Sequence, residues 1–559
     1  MKQRANPFSH VGGLRPRRTS FNLSYSKTFT CDMGQLIPIC CEECLPGDFF
    51  SIGNSAVLRM MPLVAPMMHD VNMYVHYFFV PYRLLYGGIK SKTGKEYNGV
   101  PNFGQADWEQ FITGGVDGRT GFPTNDPPMP LPMIDIWDGS TPEFSSRVTL
   151  FSLGDYLGFP LFPDHSPMMH VLAFPWFAYN FIFNEYYRDE TLTPCVNWYN
   201  NVILNRAWKK DYFTSALPFQ QRGVAPALDI SGSLRVSIPD SVGIGVGADS
   251  NLGFFTQFQT SSTSPPATQV NALGFTSPAG SNLRVNNNSL NNQLSTYSSV
   301  RGLGFNANDL RLQFAIQKML ERNARSGARY IEFLKARWGV HPRDDRLQRP
   351  EYIGGTYAPI VVNQVLNTAN SVGDTDIRTQ QGNMAGHGIS AANSHAGKYH
   401  VKEYGLIMGI MSIMPKAVYS FGIQRAWLRK TKYDYASPEF VNLGEQEIFR
   451  NEIYADGDST TIFGFQGRFD EYRVNNNMVC GSMRPNSGDL YFAAWNMSRD
   501  FGGEENVPTV INGNFITCNP TKRIYAVPSE KGIAVEFGNL IRAYRPLPYM
   551  SEPGFIDHH

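Results

Sequence analysis

The sequence predicts an all-β protein with long connections, and three observations carry that reading. Across 559 residues, 51 Gly and 37 Pro punctuate the chain and leave few long helical periods. The block from Leu36 to Tyr86 reads as β-strands separated by proline turns. Charged residues make up only 17%, against about 25% in typical soluble domains. So few charges leave two readings of the surface, which either lies largely in subunit contacts or is covered by Ser-, Asn- and Gly-rich loops. Hydrophobic residues reach 42%, with aromatics at 13%.

Taken in order, residues 1–30 form a basic arm whose Pro and Gly favour an extended backbone. Residues 1–31 hold Lys2, Arg4, Arg15, Arg17, Arg18 and Lys27 and no acid, so the remainder carries 43 basic against 48 acidic residues, a net −5. A basic arm on a mildly acidic body suits contact with a polyanion. The opening block follows. Leu45-Pro46-Gly47-Asp48 suits a type II turn, with Pro presetting φ at the second position and Gly accepting positive φ at the third. Val71 to Val80 reads as a strand closed by Pro81. One face carries Val71, Met73, Val75, Tyr77 and Phe79; the other starts polar with Asn72 and His76 and ends apolar with Phe78 and Val80. Burial on one face at its start and on both near its end is expected.

Residues 87–170 read as a surface excursion rich in Gly, Pro and Asp. A helix is expected to begin near Pro175. From Ser231 to Val300 only Arg235, Asp240, Asp249 and Arg284 are charged, which reads as an inserted, exposed loop structure over 231–300. Asn308 is expected to cap a helix whose apolar stripe, Leu312, Ile316, Met319 and Leu320, packs on the core. Residues 363–398 read as a second, smaller loop insertion of small residues. Leu406 to Met414 reads as a buried strand ended by Pro415.

The chain offers little that suggests catalysis. Gly88 to Glu96 approximates a phosphate-binding loop, but five residues separate its glycines where four belong, and Glu96 stands where a Ser or Thr should hold Mg²⁺. Gly243, Gly245 and Gly247 lack the third glycine of a dinucleotide fingerprint. There is no G-x-S-x-G elbow and no H-E-x-x-H, and His69-Asp70 reads as a structural histidine beside a strand. Of seven cysteines, Cys40, Cys41 and Cys44 cluster, but neighbours at 40 and 41 point to opposite faces of a strand and nothing completes a tetrahedral zinc set. The expectation is therefore no catalytic, cofactor or metal residues and no enzyme. No signal peptide is expected, and no segment approaches the ~18 apolar residues a membrane span needs.

Several long motifs appear in a recognisable order: the opening block, NEYYRDE at 184–190, DYFTSALPFQQRG at 211–223, NDLRLQFAIQKMLERNARSGARYIEFLKARWGV at 308–340, RLQRPEYIGG at 346–355, FVNLGEQEI at 440–448, FGFQGRFDEYRV at 463–474 and PGFIDHH at 553–559. Together they resemble the major capsid protein of gokushoviruses, small icosahedral single-stranded DNA bacteriophages of the Microviridae, over nearly the whole chain. The cysteine cluster is not part of that pattern. The resemblance implies one eight-stranded antiparallel jelly roll over 31–559, with long insertions and a few helices. It implies self-assembly into a T=1 shell around a circular single-stranded DNA genome, with 231–300 as a surface protrusion for host attachment. It also implies, as partners, a small basic packaging protein, a scaffolding protein, a DNA pilot protein and a host cell-surface receptor, with the chain in the virion after synthesis and assembly in the bacterial cytoplasm. The DNA-contact candidates are the arm residues Lys2, Arg4, Arg15, Arg17 and Arg18, whose ammonium and guanidinium groups suit sequence-tolerant phosphate contact. The alternative from the residues is a carbohydrate-binding, lectin-like jelly roll.

Overall fold

The computed structural model describes residues 18–86, 131–135, 148–161, 170–224, 307–325, 335, 343–344, 347–366, 384–455 and 461–550. Its strands are β1 (Thr19–Asn22), β2 (Tyr25–Cys31), β3 (Ile37–Cys44), β4 (Phe49–Met60), β5 (Val71–Pro81), β6 (Met133–Asp135), β7 (His170–Leu172), β8 (Glu351–Ile360), β9 (Val362–Leu366), β10 (Met384–His400), β11 (Gly405–Pro415), β12 (Gln446–Phe449), β13 (Ile462–Gln466) and β14 (Ile533–Arg545). One sheet runs β1-β14-β4-β10-β9, with β2 following β1 along the same edge of β14; the other runs β3-β11-β5-β8. Every pairing between named strands is antiparallel.

Period-2 burial explains how the sheets stack. On β14, Ile533, Val535, Phe537, Ile541 and Ala543 are buried while Glu536, Leu540, Arg542 and Tyr544 are exposed. On β4 the even positions from Phe50 to Met60 are buried. These side chains join those of β3, β5 and β11 in one hydrophobic cluster. Two buried amides tie the sheets together: Asn539 Nδ2 donates to the Ile39 carbonyl at 2.9 Å, and Asn54 Nδ2 to Thr356 Oγ1 at 2.8 Å. Asn54 and Asn539 are register partners between β4 and β14, so both bridges leave the sheet at one level. A second cluster, with Tyr212, Phe213, Tyr419, Phe463 and Phe515, lies beside the short β12–β13 pair.

Several expectations hold. β5 is buried at alternate positions through His76 and continuously from Tyr77 to Pro81, and β11 is buried throughout. Gly47 adopts φ +92°, and the Asp48 amide donates to the Leu45 carbonyl at 3.0 Å, as the type II turn requires. The helix Phe174–Ile182 opens with Pro175 in its first turn.

Other expectations are corrected. The arm does not reach residue 30, because Thr19–Asn22 and Tyr25–Cys31 are strands on β14. Lys27, counted among the basic arm residues, is inside the fold: its ammonium donates to the Pro38 carbonyl at 2.9 Å and to that of Tyr156, and burial lowers its pKa to about 8. Residues 363–398 are not simply a loop insertion, since their last fifteen residues lie in the 17-residue β10, which pairs with β4 on one side and β9 on the other. The Gly, Ala and Ser that read as loop signals permit close packing here; a Cβ on Gly388 would sit 2.7 Å from Met60 Sδ. Residues 87–170 are not wholly a surface excursion, because Ile134, Leu153 and Tyr156 are buried in the main core. The helix Ala307–Arg325 starts one residue before Asn308, and its expected stripe is only partly covered: Ile316 and Leu320 are half-buried, while Leu312 and Met319 are exposed.

The chain divides into two compact units, Met1–Arg222 with Glu321–His559, and Gly223–Leu320. The segment 231–300, the motif Gly88–Glu96 and the glycines at 243–247 lie outside the described residues. All described cysteines are free. Cys40 and Cys44 are buried in β3 and Cys41 half-buried on the opposite face; burial pushes the Cys41 thiol up to about 12.

Candidate nucleic-acid site on the outer face of the second sheet

Alternation on β5 sends Val71, Met73, Val75 and Tyr77 into the core and Asn72, Tyr74, His76 and Phe78 out of the opposite face of the sheet. Those outward residues floor a cleft of about 1030 Å³. β8 supplies Tyr352, whose ring centroid lies 6.0 Å from His76 and 5.5 Å from Phe78. The helix Phe174–Ile182 ends in a π turn, Phe183–Tyr187, that brings Tyr186 and Tyr187 to the same cleft. Tyr186 packs on Phe78 at 4.7 Å, and Tyr187 stacks on His76 at 5.9 Å.

The cations arrive on a different segment. Isolated bridges from Asn205 to Gln35 and from Ala207 to Thr517 pin residues 205–207. Between them Arg206 lies over Tyr74 at 4.9 Å and Tyr187 at 5.7 Å, and donates to Ser412 Oγ at 3.0 Å. Lys209, Lys210, Arg349 and Lys416 complete five cationic side chains against two lining carboxylates, Asp70 and Asp344. Lys210, Arg349 and Lys416 pair with Asp189, Asp344 and Asp70. Among the described residues, Arg206 and Lys209 have no carboxylate partner.

His76 Nδ1 lies 2.7 Å from the Tyr187 hydroxyl. Burial, with the neighbouring Arg206 charge, lowers its pKa to about 4, so the imidazole is neutral at pH 7. His69, beside the cleft, places Nε2 2.7 Å from the Lys416 carbonyl, a structural contact. Two cations without a carboxylate partner in an aromatic-lined cleft, with Tyr352 exposed, suit a single-stranded nucleic acid, with phosphates against the cations and a base stacked on the exposed ring.

The arm candidates Lys2, Arg4, Arg15 and Arg17 lie outside the described residues. Arg18 is exposed, and its guanidinium stands at the Pro46–Gly47 turn, 3.0 Å from where a Gly47 side chain would begin. The adjacent Asp48 feels its charge; Arg18 does not line the cleft. Sequence reasoning missed Arg206, Lys209 and Lys210. Their run, Arg206-Ala-Trp208-Lys209-Lys210-Asp-Tyr212, interleaves basic and aromatic residues, and that was the available signal.

A family model described as capsid protein (F protein) matches residues 9–555. The chain belongs to this phage capsid protein family. It is 30% identical to capsid protein VP1 of Chlamydia phage 1, over 98% of this chain and 97% of that protein. It is 28% identical to capsid protein VP1 of Bdellovibrio phage phiMH2K, over 93% and 92%, and 25% identical to capsid protein VP1 of Spiroplasma virus 4, over 99% and 98%. The resemblance to gokushovirus major capsid proteins is thereby established over nearly the whole chain. Membership makes this a structural protein of the virion that assembles with itself. No helix among the described residues is long and apolar enough to cross a membrane.

Proposed function

We propose that this capsid protein forms a T=1 icosahedral shell enclosing circular single-stranded DNA, and that the cleft between β5 and Arg206 is where the shell meets the genome. The observation that carries the DNA contact is the pair of cations without a carboxylate partner, Arg206 and Lys209, in an aromatic-lined cleft whose Tyr352 is exposed. The strand order supports an eight-stranded jelly roll as the building block: β2-β14-β4-β10 form one face and β3-β11-β5-β8 the other, and successive strands change face except between β5 and β8. The T=1 geometry rests on the gokushovirus relationship. So do the packaging, scaffolding and pilot proteins as partners, assembly in the host cytoplasm, and 231–300 as the receptor-binding protrusion. The shell itself performs no catalysis.

Replacing Lys209 and Lys416, both exposed at the cleft, with Gln tests the DNA contact. The expected result is shells that still form but lose DNA at lower salt than the native ones. Unchanged DNA retention across a salt series removes the cleft from the genome interface.

A further inference from the structure

Away from the cleft, one surface is built as if to be covered. The 3₁₀ turn Arg425–Trp427 leaves the Trp427 side chain 77% exposed, the most exposed tryptophan among the described residues. Tyr435, Tyr472, Val474 and Met478 are exposed beside it. Side chains within three residues of Trp427 in sequence touch this surface. The Arg429 guanidinium lies 5.0 Å from the Tyr435 ring and 4.6 Å from that of Tyr472, and Gln424 Nε2 reaches Met478 Sδ at 3.3 Å. Ile423, Gln424, Val474 and Met478 rim a depression of about 140 Å³, room for one side chain. Two polar atoms in it, Ser420 Oγ and Asn476 Oδ1, are buried and have no hydrogen-bond partner among the described residues.

The charges of this patch argue against a phosphate backbone as its cover. Arg425 pairs with Glu452 at 2.9 Å, Arg429 with Glu471 at 3.6 Å, and Arg473 with Asp470. Arginines already neutralised by the chain's own carboxylates have little left for a phosphate backbone, and they can be buried without stranding a charge. Exposed Trp, Tyr, Met and stacked Arg is the composition of a protein–protein interface core. A protein that must assemble with itself needs such a face, and a head-to-tail contact closes into a ring when its rotation allows.

We propose that the Trp427 surface is a contact face for a second copy of this chain, and that the depression is a socket for one side chain of that copy, which supplies hydrogen bonds to Ser420 and Asn476. This rests on the self-assembly reading above. Residue-resolved oxidative footprinting of Trp427 in dissociated subunits, DNA-filled shells and DNA-free shells tests it. The expected result is oxidation in free subunits and strong protection in both kinds of shell. Equal oxidation in shells and subunits overturns the interface while leaving the capsid reading intact; protection only in filled shells makes DNA the occupant and overturns it too. Failure of the native chain to form shells under any condition removes both readings. In parallel, Trp427→Ala subunits with native circular dichroism are expected to sediment as smaller species than the native shell; full-size shells from that variant, with residue 427 no longer filling the contact, count against the proposal.

Discussion

Gly355 lies directly opposite His76 across the β5–β8 pair, and a Cβ on it would stand 2.8 Å from the His76 ring and 2.8 Å from the Val75 carbonyl. The same atom would be 2.6 Å from the Tyr352 hydroxyl. A side chain here must move backbone, not only a flexible tip. Gly355→Ala is therefore expected to destabilise the subunit by about 1–3 kcal/mol and to disturb the aromatic floor of the cleft. Chemical denaturation of the isolated subunit measures it; native stability in the variant would mean that β5 and β8 are spaced more widely than described.

His76 also makes stability depend on pH. Its folded pKa is lowered to about 4, by burial first and the Arg206 charge second. The unfolded chain takes up that proton near pH 6.5. Stability from this group is thus fully present above pH 6.5 and is lost as pH falls toward 4, a change on the order of 3 kcal/mol. Denaturation midpoints between pH 7 and pH 4 should fall in the native chain and fall less in His76→Gln. Parallel pH profiles would mean that His76 is solvated and titrates normally.

The amide bridges between the sheets are open to the same kind of test. Asn539 Nδ2 is buried against the Ile39 carbonyl, so Asn539→Ala leaves that acceptor without its partner and opens a small void. The expected cost is about 1–3 kcal/mol, read by thermal or urea unfolding. A cost near zero would place water between the sheets at this level.

The arm and the cleft make separable contributions to DNA retention. Arg15 and Arg17 belong to the basic arm and are expected to contact phosphate; replacing both with Gln should lower the slope of log affinity against log salt by about 0.7 per lost contact. Arg18 stands by Asp48 at the Pro46–Gly47 turn, so adding Arg18→Gln should change that slope little. Filter binding of single-stranded DNA to subunits across a salt series measures both. An Arg18 effect as large as that of Arg15 would mean the turn contact opens on binding.

Much of the sandwich was legible because period-2 burial writes itself into the chain. β5 shows it in Val71, Met73, Val75 and Tyr77, and β11 shows two-sided burial in its apolar run. β10 was illegible because its small residues, chosen for close packing against Met60 and its neighbours, are the same residues that mark loops. The cleft could not be read from any one stretch. Its floor comes from 72–78, its wall from 186–187, its cations from 206–210, 349 and 416, and only the strand order brings these together. The helix Ala307–Arg325 shows the opposite failure: amphipathic spacing identified the helix, but spacing does not say what covers the apolar side.

Cryo-electron microscopy of particles from cells expressing the chain with its genome tests the central claim most directly. The account predicts closed T=1 shells of one repeated jelly-roll subunit, with density for single-stranded DNA against Tyr74, Arg206 and Lys209 on the inner surface. Only monomers or small oligomers, or shells in which that cleft faces outward and empty, would contradict it.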